Sequence, residues 1–255
     1  MYPKSKQLFA RPAFALMLSI TMSGCITAQG GKETTTDAAA LTQTQLSARA
    51  EKQSATYKQE PQDVANAVSY AETLGAMNRH EQQSAVLEKL VMNHPTTPEI
   101  LAAYGKSLIA IGEYARADQV LTQAFMPDAP DWRTLSARGV ANDKLGNHKQ
   151  AQQLYEAALR VKPDDPSVLT NLGLSYAYQR NYGNAEVYLR QALAQPGSDP
   201  RIQQNLAIVL GLQGKRSAEK SVLSSVTTTE GATNAMAAVD NLKTARQASP
   251  RSAGP

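Results

Sequence analysis

The residues that could take part in chemistry are few: one cysteine, Cys25, and three histidines, His80, His94 and His148. A single cysteine cannot form a disulfide within the chain or a Cys-x-x-Cys metal site. The histidines lie far apart in the sequence, and none belongs to an HExxH motif. The sequence shows no nucleophile–base pair, phosphate loop or paired carboxylates. We therefore expect no metal site, no catalytic residues and no enzymatic activity.

Cys25 follows a segment that has the three parts of a secretion signal. Three basic residues lie before position 12, residues 13–22 are apolar, and two small residues precede the cysteine. The tetrad Met22-Ser23-Gly24-Cys25 resembles a bacterial lipobox. This resemblance implies that residues 1–24 are a lipoprotein signal peptide and that the Cys25 thiol carries a covalent lipid, with no other cofactor. An ordinary signal peptide beside an incidental cysteine is the alternative.

The residue after the cysteine bears on the membrane to which the lipid would attach. It is Ile26 rather than an aspartate, which by resemblance to enterobacterial sorting signals favours the outer membrane. We therefore expect a lipid-anchored protein on the periplasmic face of that membrane. The net charge of the chain is +4, but three basic residues and no acidic ones lie in the leader. Without residues 1–24 the charge is almost balanced, so we expect no nucleic-acid partner.

Residues 25–62 have the composition of a linker. They are rich in Thr, Gln, Ala and Ser and contain almost no large apolar residues. Such a segment buries too little apolar surface to offset the entropy of ordering it. The sequence therefore predicts the lipidated cysteine followed by a disordered tether, with no apolar face that could dock on a neighbouring helix.

A period of 34 residues dominates the rest of the chain. The small residues Gly105, Gly139 and Gly173 are 34 apart. Two alanine columns have the same spacing: Ala117, Ala151, Ala185 and Ala124, Ala158, Ala192. Small residues allow two antiparallel helices to approach closely, and large residues such as Leu121, Tyr155 and Leu189 would fill the space between them.

Helix-capping residues repeat with this period. Five good N-caps are 34 residues apart: Asp63, Thr97, Asp131, Asp165 and Asp199. Proline follows three of them, at Pro98, Pro166 and Pro200, where its missing N–H is not needed. Each repeat should therefore begin a helix one residue after its cap.

This pattern resembles the tetratricopeptide (TPR) repeat, in which two antiparallel helices occupy each 34-residue unit. It predicts an all-α, right-handed superhelix of about five helix pairs with a C-terminal capping helix. The array would span 63–226, with units 64–97, 98–131, 132–165, 166–199 and 200–226. Residues 227–247 would form the capping helix, and residues 248–255 a disordered tail.

The TPR resemblance implies a concave groove, lined by the first helix of each pair, that binds protein segments. The groove candidates are Lys106, Arg133, Val140, Asn171, Leu174, Tyr178, Asn205 and Ile208. Asn171 and Asn205 are 34 apart, and each could clamp a ligand backbone with one donor and one acceptor. The alternative is that asparagine is simply common at this position of the repeat.

Two polar residues, Arg138 and Asn142, occupy positions that are apolar in neighbouring repeats. Polar groups between helices are costly unless they are paired. We expect Arg138 to extend its guanidinium to water and Asn142 to bond nearby. A local polar contact completed by a partner is the alternative.

The order of lipobox, tether and repeats, together with NLAIVLGLQG at residues 205–214, resembles the TadD family. These are TPR lipoproteins of the tight-adherence (Flp-type) pilus assembly system. The likeness covers Arg133 to Lys215 and implies assistance in assembling the pilus secretion machine. The outer-membrane secretin or other pilus components would then be the protein partners. The alternative is a periplasmic adaptor for cell-wall enzymes or outer-membrane protein assembly. A homo-oligomer is also open, since TPR arrays often associate through their end repeats.

Overall fold

The computed structural model describes residues 41–196, 199 and 201–224, and five residues beyond them: Thr233, Met236, Ala237, Val239 and Asn241. The part of the chain described in this way contains helices and no strand, as the sequence predicts. The helices are α1 Gln43–Gln59, α2 Val64–Ala76, α3 His80–Asn93, α4 Pro98–Ala110, α5 Tyr114–Gln123, α6 Trp132–Lys144, α7 His148–Val161, α8 Pro166–Tyr178, α9 Tyr182–Leu193, α10 Arg201–Leu212 and α11 Arg216–Ser224.

Each helix packs against the next along the chain. The helices α4, α6, α8 and α10, which are the first members of successive pairs, also contact one another. Short loops join neighbouring helices, so consecutive helices run in opposite directions. The first helices therefore line a common face, and all the groove candidates belong to these helices.

Aspartate side chains begin several of the first helices. The Asp131 carboxylate accepts from the amides of Arg133 and Thr134, at 3.2 and 3.0 Å. Asp63 and Asp165 make the same kind of bond at the start of α2 and α8. Thr97 differs, because its side chain makes no capping bond. Pro98 already fixes the first residue of α4, so the helix starts at the expected place without that bond.

The periodic small residues allow close approach of the paired helices. A Cβ atom built at Gly139 of α6 would lie 2.5 Å from Cε1 of Tyr155 on α7. Gly105 and Gly173 meet Leu121 and Leu189 of their own partner helices in the same way. The large side chains are almost completely buried, so each of these three pairs fills its interior with one large residue set against one glycine.

The prediction of a disordered tether is wrong for residues 43–59, which form α1. Thr42 caps this helix, and Leu46 and Ala50 are buried. Ser69 of α2 accepts hydrogen bonds from Arg49 at 2.9 Å and Gln53 at 2.8 Å. α1 therefore docks on α2 with a narrow apolar contact and side-chain hydrogen bonds, rather than with the wide apolar stripe sought in the sequence.

The C-terminal capping helix is described only at the five residues beyond α11. All five are helical, and Val239 is 2% exposed. A Cβ at Gly211 would lie 2.8 Å from Cγ2 of Val239, so Val239 covers Gly211 of α10. The signal peptide, Cys25 and the tail at 248–255 lie outside the described residues.

Candidate protein-binding groove

A cleft of about 560 Å³ opens between the N-terminal halves of α8 and α10. It brings together Asn171 and Asn205, the two groove candidates that lie 34 residues apart. The rest of its lining is Pro166, Ser167, Thr170, Asp199, Arg201, Ile202 and Gln204. The cleft therefore presents carboxamides and hydroxyls from two consecutive repeats.

The Asn171 and Asn205 side chains are half-buried, and neither has a hydrogen-bond partner among the described residues. A carboxamide has two N–H donors and an oxygen acceptor, which match the C=O and N–H groups of a peptide unit. Both groups are thus available to a ligand in the cleft. Their use as a clamp remains a prediction.

The charged groups that line this cleft, Arg201 and Asp199, pair with each other. Arg201 donates from Nε to Asp199 Oδ2 at 2.9 Å and from Nη2 to the same oxygen at 2.6 Å. These hydrogen bonds lower the pKa of the Asp199 carboxyl. The lining therefore carries no net charge, and it suits an uncharged polar group such as a peptide backbone.

The groove is charged farther towards the N-terminus, where Lys106 of α4 and Arg133 of α6 are exposed. Crowding by surrounding protein atoms lowers the pKa of the Lys106 ammonium, and repulsion from Arg133 lowers it further. Asp131 opposes this change. The pKa of the Asp131 carboxyl is lowered. Burial acts to raise it, but hydrogen bonds from the Thr134 hydroxyl and from the amides of Arg133 and Thr134 lower it more, and the charge of Lys106 lowers it further.

The remaining candidates occupy two environments. Val140, Leu174 and Ile208 occupy equivalent positions of consecutive repeats and are half-buried. Tyr178 is the last residue of α8, is 55% exposed and lies outside the cleft lining. Its ring centroid is 5.6 Å from that of His148. The structure therefore separates Tyr178 from the asparagines.

The buried carboxylate of Asp143 joins the three helices α6, α7 and α8. Asp143 of α6 accepts from Ser175 Oγ at 2.7 Å and from Tyr155 Oη at 3.1 Å. His148 Nδ1 lies 2.9 Å from Asp143 Oδ1. Burial raises the pKa of the Tyr155 hydroxyl, and the charge of Asp143 raises it further. The carboxylate is stabilised by these donors, and it fixes α6, α7 and α8 relative to one another.

This cluster contains serine, histidine and aspartate but not the geometry of a nucleophilic site. Ser175 Oγ and His148 Nδ1 both face the same Asp143 oxygen. An activated serine would instead pass its proton to the histidine. Ser175 is also fully buried, so a substrate has no access to its hydroxyl. The arrangement holds the helices together.

The expectation for Arg138 is wrong, whereas that for Asn142 is confirmed. The Arg138 side chain is only 15% exposed and lies 3.3 Å from Asp118 Oδ1 of α5. Asn142 Nδ2 donates to the same oxygen at 2.9 Å and to the Arg138 carbonyl at 3.0 Å. Asp118 therefore bonds both polar groups inside the array.

Sequence reasoning missed Asp143 and the polar cleft residues beside the asparagines. Asp143 stands where the neighbouring repeats have Ile109, Ala177 and Gly211, so its departure from the column was visible. Thr170 and Gln204 directly precede Asn171 and Asn205 in the sequence, and they line the same cleft.

Among the residues that the structure describes, none form a group of three potential metal ligands. No helix in that part of the chain combines the length and apolar character needed to cross a membrane.

Comparison with known proteins identifies the repeats. The sequence matches the tetratricopeptide repeat family over residues 133–165 and 166–195, so the chain contains TPR repeats as predicted. None of the curated proteins matches it.

Three solved structures show the same fold. PilW, a widely conserved type IV pilus biogenesis factor, is 13% identical with a TM-score of 0.68, over 76% of this chain and 91% of PilW. The Cut9–Hcn1 hetero-tetramer of the APC/C is 15% identical with a TM-score of 0.65, over 79% of this chain but only 40% of that one. A thermophilic TPR protein from Thermus thermophilus is 20% identical with a TM-score of 0.59, over 69% of this chain and 98% of that one. The described array is therefore an all-α TPR superhelix.

Proposed function

We propose that this protein is a non-catalytic scaffold that binds protein segments in the groove formed by its first helices. The observation that carries the proposal is the cleft in which Asn171 and Asn205 present unpaired carboxamides. The TPR match over residues 133–195 supports it, because repeats of this kind generally present their concave surface to proteins.

The groove offers two kinds of interaction to an extended segment. The carboxamides of Asn171 and Asn205 bind its backbone groups. The half-buried side chains of Val140, Leu174 and Ile208 provide apolar surface that water leaves when the segment binds. Backbone contacts give affinity without selecting a sequence, so the apolar contacts and the charged region at Lys106 and Arg133 provide selectivity.

We further propose that the scaffold assists assembly of a Flp-type pilus secretion machine at the outer membrane. Three observations support this function: the lipobox at residues 22–25, the TadD resemblance from Arg133 to Lys215, and the fold likeness to PilW. Lipid on Cys25 holds the array at the periplasmic face, where the groove binds the secretin or another pilus component. Tethering raises the effective concentration of the groove for that partner.

The test compares secretin multimers in outer membranes from cells that carry different forms of the protein. The groove variant is Asn171→Ala/Asn205→Ala, and the anchor variant is Cys25→Ser. Gln191→Ala is the matched control, because it removes an exposed carboxamide from α9, a second helix outside the cleft lining. Protein levels are measured in parallel by immunoblotting.

We expect the groove and anchor variants each to reduce the secretin multimer at unchanged protein level, and the control to leave it intact. Multimer loss in the anchor variant alone would mean that the Asn171 and Asn205 side chains are not required for this assembly. An unchanged multimer in both variants would refute the pilus role and favour the periplasmic adaptor function.

A further inference from the structure

The two edges of the repeat array carry opposite charge. Because consecutive helices are antiparallel, the loops within helix pairs lie along one edge, here called the turn edge: 77–79, 111–113, 145–147, 179–181 and 213–215. The loops between pairs lie along the other, here called the linker edge: 60–63, 94–97, 124–131, 162–165 and, of the last loop, the described residues 194–196 and 199. A 2.7 Å hydrogen bond from Gln213 Nε2 to the Tyr182 carbonyl joins consecutive turns.

The turn edge is basic. Counting each loop and the residue on either side of it, the edge carries the cations Arg79, Lys144, Arg180, Lys215 and Arg216 and a single acid, Glu113. Lys215 pairs with Glu186 at 2.7 Å, and Glu113 pairs with Arg116 at 3.3 Å. The other four cations are exposed and have no ion pair among the described residues.

The linker edge is acidic by the same count. It carries Glu60, Asp63, Asp128, Asp131, Asp164, Asp165 and Asp199 against only Lys162 and Arg201. Both cations are paired, Lys162 with Asp165 at 2.9 Å and Arg201 with Asp199 at 2.6 Å. Glu60, Asp128 and Asp164 remain exposed without an ion pair in the described part of the chain.

Exposed apolar side chains lie among these charges on both edges. Leu145 and Tyr178 on the turn edge are 42% and 55% exposed. Met126 and Val161 on the linker edge are 42% and 40% exposed. Contact between the edges would bury apolar surface as well as bring opposite charges together, and the apolar part supplies attraction that isolated surface ion pairs lack.

We propose that the partner of the turn edge is the linker edge of a second copy of this chain. Each surface is the charge complement of the other, and both belong to every molecule. Such an interface is heterologous, so a pair of copies keeps one free basic edge and one free acidic edge, and association continues into rows or rings. The groove lies on the face between the edges, so the copies in a row can each bind a segment.

The test measures association of the full chain by sedimentation velocity at low and high salt. All samples carry Cys25→Ser, so that an acyl chain cannot mediate association. Arg79→Glu/Lys144→Glu lowers the net charge of the turn edge from +4 to 0, and Glu60→Lys/Asp128→Lys changes that of the linker edge from −5 to −1. These four side chains have no ion pair to lose within the described residues, so circular dichroism should show unchanged folding.

We expect concentration-dependent association at about 50 mM salt that weakens strongly near 0.5 M, where the Debye length is only a few ångströms. Each double reversal alone should weaken association at least tenfold, because the altered edge then has almost no net charge to attract the other edge. Mixing the two variants should restore association, since the unaltered linker edge of the first variant then meets the unaltered turn edge of the second.

Three results would overturn the proposal. The first is a parent protein that stays monomeric at low salt, and the second is association that the reversals do not weaken. The third is a mixture of the two variants that fails to associate. If the parent stays monomeric but binds vesicles of anionic phospholipid, and Arg79→Glu/Lys144→Glu abolishes that binding, the turn edge serves a membrane surface instead.

Discussion

Ser175 donates a 2.7 Å hydrogen bond to the carboxylate of Asp143, which lies 32 residues earlier in the sequence. The bond links α8 to α6, the first helices of consecutive repeats. Ser175 is fully buried and Asp143 is 9% exposed, so water does not replace either partner. The contact between these two repeats therefore depends on a specific polar pair as well as on apolar packing.

Replacing Asp143 with alanine should lower the free energy of unfolding by about 2 to 4 kcal/mol, because it leaves the buried hydroxyls of Tyr155 and Ser175 without their acceptor. Asp143→Asn keeps an oxygen at the site and should cost less. Urea unfolding monitored by circular dichroism measures both. Asp128→Asn, at an exposed position, is the control and should stay within about 0.5 kcal/mol of the parent. Equal effects at both positions would contradict a structural role for the Asp143 carboxylate.

Gly139→Ala should destabilise the protein by about 1 to 3 kcal/mol, because the new methyl group would lie 2.5 Å from the buried Tyr155 ring. Gly183→Ala is the matched control at an exposed position of α9, where an added Cβ would lie 3.9 Å from Oδ1 of Asn181, an ordinary contact distance. Alanine is the better helix former, so this control should be neutral or slightly stabilising. Thermal unfolding compares the two, and similar losses would show that Gly139 is not a close-packing position.

The repeat could be predicted from the sequence because its features are local and periodic. Gly139 and Asp131 recur at 34-residue intervals, and their packing and capping roles follow from residue type alone. α1 has no place in that period, and its few contacts through Leu46 and Arg49 give no strong apolar pattern. Asp143 was missed because its partners, Tyr155 and Ser175, are brought to it by the tertiary fold.

The cleft was only partly predictable for the same reason. Asn171 and Asn205 were recognised by their shared spacing, and the structure places both in its lining. Tyr178 lies on the same helix as Asn171, yet it packs near His148 outside that lining. Helix periodicity indicates which face a residue occupies, but the position of a cleft along that face depends on how neighbouring helices meet.

Leu46→Ala should release α1 from the array, because Leu46 is 4% exposed and is, with Ala50, one of the two buried residues of this helix. We expect the free energy of local opening to fall by about 2 to 3 kcal/mol. Hydrogen exchange of the α1 amides measures it. Ser47→Ala, at the adjacent exposed position, should leave their protection unchanged. Equal protection in Leu46→Ala and the parent would mean that Leu46 is not required to hold α1 on the array.

The titration of Lys106 tests the electrostatics of the charged region of the groove. Crowding and the neighbouring Arg133 both lower the pKa of this ammonium, so it loses its proton at a lower pH than a free lysine. Arg133→Ala removes a repelling cation and should raise the pKa of Lys106. Asp131→Asn keeps the helix cap but removes an attracting charge, and it should lower the pKa further. NMR of the lysine Nζ group across the alkaline range follows both changes.

Arg160→Ala is the control for this titration, because it removes an exposed cation from α7 that is not among the groups acting on Lys106. It should leave the pKa of Lys106 where it is. If Arg133→Ala also leaves it unchanged, the two cations do not interact across the groove. An acidic segment bound at Lys106 and Arg133 would raise the pKa of Lys106, because a nearby negative charge favours the ammonium form. The same measurement therefore reports whether a candidate partner occupies this part of the groove.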